Sequence, residues 1–132
     1  MLLLITLLAV GSMQDTLLQE RMTTNLEDRN IAFEAAEAGL RRSELDVWGG
    51  AFSGPRPNSP TNWENLGAAL GTSDSLDDRS ANQPEHFVGP ASCPPVDLEG
   101  GCPVELFQVY SRGTGGRDDT QVILRSTFGR PQ

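Results

Sequence analysis

Residues 17–47 read LLQERMTTNLEDRNIAFEAAEAGLRRSELDV, and this stretch decides the fold. It has no proline, one glycine (Gly39) and many Ala, Leu, Glu and Arg residues, which lose little freedom in a helix. At about 100° per residue, Leu18, Met22, Leu26, Phe33, Ala36, Leu40 and Val47 fall in one stripe. Glu20, Glu27, Glu34 and Arg41 fall on the roughly opposite face. Such a seven-residue spacing predicts a helix lying along another helix or a curved sheet. Leu26, Phe33, Ala36, Leu40 and Val47 are the residues expected to meet a sheet. Phe33 and Leu40 are expected to be the most buried of them.

Upstream, residues 1–10 are MLLLITLLAV, with Thr6 the one polar side chain. Leu2, Leu3, Leu4, Ile5, Leu7, Leu8 and Val10 form an apolar segment that runs without a break into the amphipathic one. The pattern predicts a helix that leaves a membrane and continues into a water-exposed head. Residues 1–13 span roughly 20 Å as helix, less than a hydrocarbon core of about 30 Å. A buried core helix and the apolar region of a signal peptide are the competing readings. A signal peptide lacks support, because no basic region precedes the segment and no Ala-x-Ala site follows it. The favoured expectation is a membrane helix whose first residues are encoded upstream.

Composition narrows the function classes. The 132 residues carry ten arginines, no lysine and eighteen acids, for a net charge of −8. Scattered arginines on an acidic chain argue against binding along a nucleic-acid backbone, where clustered cations supply most of the affinity. Cys93 and Cys102 have eight residues between them, unlike a CxxC redox pair. The single histidine, His86, cannot complete a zinc site with them. A structural disulfide is the expected reading, ahead of metal binding or two free thiols. It would place this part of the chain outside the reducing cytoplasm.

The chain divides into four parts: an apolar helix segment (1–13), its amphipathic continuation (14–48), an irregular connection (49–83) and a β-rich end (84–132). Glu37 and Arg41 are spaced for an i,i+4 pair, and Gly49-Gly50 is placed to stop the helix. Prolines 55, 57 and 60 and the polar run 72–80 mark the connection. A helical turn is expected near 63–70, with Trp48, Phe52 and Trp63 pinning the connection to the helix. Strands are expected at 86–88, at 104–112 (VELFQVYSR) and at 120–128 (TQVILRSTF), rich in β-branched and aromatic residues. The glycines of 113–119 are read as supplying the positive φ angles of a hairpin turn. The fold class is therefore α+β: a long N-terminal helix packed on a small antiparallel C-terminal sheet with a disulfide loop.

No catalytic constellation assembles. His86 has no evident partner, no Gly-x-Ser-x-Gly elbow occurs, and Gly113-Thr114-Gly115-Gly116 lacks the lysine and following helix of a phosphate loop. Asp118 and Asp119 lack the alternating ligands of a calcium loop. The expectation is a chain that is not an enzyme and needs no cofactor, metal or small-molecule substrate.

The run Met13-Gln14, Leu17 to Met22, Asn25-Leu26, Asp28-Arg29-Asn30, Ala32-Phe33 and Ala35 to Ala38 resembles the N-terminal region of the PilX family, minor pilins of bacterial type IV pili. Residues 109–120 also resemble that family's final hairpin. The resemblance implies a pilin-like fold and a role in priming pilus assembly or at the fibre tip, supporting twitching motility and attachment. Its implied partners are other minor pilins, the major pilin and the inner membrane, with a periplasmic head that later joins the surface fibre. Prepilins also carry a short basic leader ending in glycine, then about twenty apolar residues. Residues 1–13 show only the latter part of that pattern. A pseudopilin of a type II secretion system and a membrane-tethered periplasmic binding module are the alternative functions.

Overall fold

One helix, α1, runs unbroken from Leu2 to Gly49, a length of about 70 Å. It appears in a computed structural model that describes residues 1–50, 63, 70–72, 79–93 and 101–131, residue 70 by its backbone alone. The helix ends at Gly50, whose φ of 66° and ψ of 17° allow its N–H to bond back to the carbonyls of Asp46 and Val47. A side chain there would strain the left-handed conformation, so glycine suits the position. Arg41 and Glu37 pair along the exposed surface at 2.8 Å.

Four strands follow: β1 (Leu70–Thr72), β2 (Glu85–Ser92), β3 (Val104–Thr114) and β4 (Gln121–Pro131). They form one antiparallel sheet in the order β1-β2-β3-β4. The β3–β4 ladder is continuous from Val104↔Pro131 to Thr114↔Gln121. The β2–β3 ladder slips between Val88 and Ala91, where Pro90 has no N–H to give. Cys93 and Cys102 are disulfide-bonded, with Cα atoms 5.9 Å apart, and tie the end of β2 to the start of β3.

The C-terminal half of α1 lies across one face of this sheet. Val47, Val88, Phe107 and Val109 form the core there, with Leu40 and Phe128 against it. Because side chains alternate along a strand, Phe87 and Tyr110 point to the other face. There Trp63 buries its ring on them.

The helix face on the sheet differs from the expected one. Its buried residues are Ile31, Ala32, Ala35, Ala36, Ala38, Gly39, Ser43 and Val47. Ala36 and Val47 are fully buried and Leu40 is half-buried, whereas Leu26 is 63% and Phe33 48% exposed. The reason is the distance between backbones. A Cβ on Gly113 would collide with the Ala32 carbonyl and the Ala36 nitrogen, and one on Gly39 with Ser111 Oγ. Only small residues fit so close an approach, so the large apolar stripe turns to the helix flank.

Two further expectations are corrected. Gly50 is the one described glycine with a positive φ, so Gly113, Gly115 and Gly116 do not serve the hairpin through turn geometry. A Cβ at Gly115 would lie 2.6 Å from the Asp28 carbonyl, so it too permits close approach to the helix. The irregular connection contains β1, and Trp63 packs on the sheet rather than on α1. Trp48 is largely exposed and meets Phe128 edge-on at 6.0 Å, while Phe52 and, of the turn expected near 63–70, residues 64–69 lie outside the described residues.

Candidate functional site

The N-terminal half of α1 projects away from the sheet. Leu2, Leu3, Leu4, Ile5, Leu7, Leu8 and Val10 are all exposed, from 82% at Leu2 to 55% at Val10. Met13, Leu17, Leu18, Met22 and Leu26 extend the apolar surface toward the head. One 18-residue window of this helix reaches a mean hydropathy of 1.4, and none of it is buried within the chain. The hydroxyls on this segment are satisfied by the helix itself. Thr6 Oγ1 donates to the Leu3 carbonyl at 2.9 Å, Ser12 Oγ to Leu8 at 3.0 Å and Thr16 Oγ1 to Ser12 at 3.0 Å. The apolar part, residues 1–13, can therefore enter lipid or a bundle of other helices without stranding its hydroxyls.

Asp28 sits where the free helix meets the sheet, and its Oδ1 accepts the Gly116 N–H at 2.6 Å. A hydrogen bond from Thr120 and those from the Gly116 and Arg117 amides hold its carboxyl below the ordinary aspartate value of 3.8. Glu27 meets Arg79 at 2.8 Å beside it. The Ser80 hydroxyl donates to the Thr114 carbonyl, and the Asn82 amide to Thr114 Oγ1.

At the other end of the head, Arg130 donates to the Val47 carbonyl at 3.0 Å and pairs with Glu105 at 2.7 Å. Buried His86 places Nε2 2.8 Å from Asp46 Oδ2, and Arg42 lies 3.4 Å from the same carboxylate. His86 Nδ1 is buried without a hydrogen-bond partner among the described residues. The helix is thus latched to the sheet near both ends of their contact.

Sequence reasoning located the apolar segment and the cysteine pair but missed these latches. Asp28, Asp46, His86 and Arg130 lie 40 to 88 residues from their partners, and nothing local marks such pairs. Asp28 had one weak signal: an acidic residue one turn before the small-residue run, starting at Ala32, that faces the hairpin. Among the described residues, no group of three or more His, Cys, Asp or Glu is placed to hold a metal ion.

A long helix half free and half packed on an antiparallel sheet, with a disulfide beside the final strands, is a pilin-like α+β architecture. The family model described as PilX N-terminal matches residues 1–41. Those residues are similar to the N-terminal region of PilX-type pilins, and residues 42–132 lie beyond the match. No curated protein and no solved structure matches the chain.

Proposed function

We propose that this chain is a minor pilin of a type IV pilus, a structural subunit that takes part in priming or capping fibre assembly. The observation that carries this reading is the unbroken α1, apolar over residues 1–13, exposed as far as Leu26 and then latched to a sheet. In a bilayer such a helix stores the subunit as a monomer. In a fibre, helices of several subunits replace lipid contacts with contacts to one another.

The exposed flank of Leu26 and Phe33 continues that surface onto the head, so neighbouring helices can remain in contact past the membrane boundary. Other minor pilins and the major pilin are the partners of this reading. The inner membrane with a periplasmic head, then the fibre, is its location. Attachment and twitching motility follow from incorporation.

A photo-crosslinking side chain at Leu18, in the full chain expressed beside a pilus operon, tests this. Adducts with pilin-like subunits are expected. Adducts with type II secretion pseudopilins alone would move the chain to that system. Adducts with lipid alone would leave a tethered binding module.

A further inference from the structure

The face of the sheet turned away from α1 carries a cleft of about 410 Å³ with no part in the helix interface. Thr72, Glu85 and Arg112 form its floor as one cross-strand row, aligned by the pairs Thr72↔Glu85 and Glu85↔Arg112. Asn82, Gln83, Thr114 and Gln121 complete the wall. Arg112 gives both its Nε and Nη2 hydrogens to Glu85 Oε2, and Trp63 lies under the guanidinium at 5.1 Å. Both side chains of the ion pair are about a quarter exposed, at 22% and 27%. Among the described residues, Glu85 Oε1 and Arg112 Nη1 have no partner, which leaves an acceptor and a donor side by side at the floor.

We propose that this cleft binds a neutral, multiply hydroxylated ligand, the mono- or disaccharide unit of a glycan. Its volume lies in the range of about 300–1,000 Å³ typical of small-molecule sites. Its one negative and one positive side chain cancel, so neither an anion nor a cation is favoured by net charge. Thr114 Oγ1 is spent on the Asn82 backbone and the Gln121 amide donates to the Asp118 carbonyl, whereas the Thr72 hydroxyl and the Gln83 amide each bring both a donor and an acceptor to the cleft. A sugar hydroxyl has the same dual character, and a row of them matches such a wall better than a phosphate, an ammonium or an apolar group.

The floor is prearranged. Glu85 and Arg112 are fixed by each other, by the ladder and by Trp63, so little order has to be gained on binding. The cleft faces away from α1, so the chain's own helix does not cover it. The inference therefore stands independently of fibre assembly.

The test uses the full chain in phosphocholine micelles, whose headgroup contains no sugar. Galactose, N-acetylglucosamine and a β-linked disaccharide are titrated while the Arg112 Nε–H and the Gln83 and Gln121 side-chain amides are followed by NMR. Saturable shifts confined to this row are expected, with dissociation constants in the millimolar range. Stronger binding of the disaccharide would assign the cleft to a glycan chain, and equal binding to a single sugar. Gln83→Leu and Thr72→Val, at exposed positions, should each weaken binding about five- to tenfold, the loss of one hydrogen bond. No shift at saturating sugar would overturn the proposal. So would unchanged binding by both variants, or a larger response of the same resonances to inorganic phosphate.

Discussion

Gly113 and Phe33 show how single residues set the geometry of this protein. Gly113 has an ordinary φ, and its missing side chain is what lets β3 touch the backbone of α1 between Ala32 and Ala36. Gly113→Ala or Ala36→Leu should therefore destabilise the full chain in micelles by about 1–3 kcal/mol or more, read from its thermal midpoint. Phe33→Ala, at a half-exposed flank, should cost about 1 kcal/mol or less. If Phe33→Ala proved the more damaging, the assignment of the sheet-facing stripe would be wrong.

Asp28 gives a pH prediction at the same scale. Its carboxyl is held below the ordinary value, chiefly by Thr120, so the ionised anchor is fully present above about pH 4. It is lost only as pH falls through the lower folded value. The Gly116 amide resonance should stay constant from neutral pH to about pH 4 and move below it, and Asp28→Asn should abolish that movement.

Among the elements, the disulfide and the Trp63 patch hold what the helix does not reach. The Cys93–Cys102 bond closes a separation of nine residues between β2 and β3. On the chain-entropy account a loop of that size is worth on the order of 2.5–3 kcal/mol, a large share of a small head's stability. Cys93→Ser should lower the melting temperature by a corresponding amount and reduce the yield of folded protein from an oxidising compartment. Equal melting of the oxidised and reduced chain would remove the bond from the account of stability. On the outer face, Trp63 fills the space over Phe87 and Tyr110, whose rings lie 6.1 Å apart. Trp63→Ala should cost about 3–5 kcal/mol if the patch cannot collapse, and should free the Arg112 side chain, visible as line-narrowing of its Nε–H.

At the scale of the whole molecule, the head is a clamp around half a rod. The clamp residues come from both ends of the sheet, so a subunit pulled by its helix transmits the load to β3 and β4 through Asp28 and Arg130. Removing one latch at each end, by Asp28→Ala with Arg130→Ala, should raise hydrogen exchange along residues 28–47 while leaving residues 2–20 of α1 unchanged in micelles. Uniform loss of protection along the helix would mean that the latches hold the fold and not the attachment.

By itself the sequence determined the elements: an uninterrupted helix stopped by Gly50, two long strands in hairpin order, a disulfide, and an apolar segment at one end. These follow from local causes, namely propensity, glycine at a helix end, alternation, and hydropathy. Only the tertiary structure decided which side of α1 meets the sheet. Periodicity identifies a stripe of large apolar residues, but closeness of backbones selects small ones, and that closeness depends on Gly113, Ser111 and Gly39 meeting across the interface. The latches and the polar cleft belong to the same class. Asp28 with Gly116, and Glu85 with Arg112, are joined by strand register and helix rotation, which no short stretch of sequence encodes.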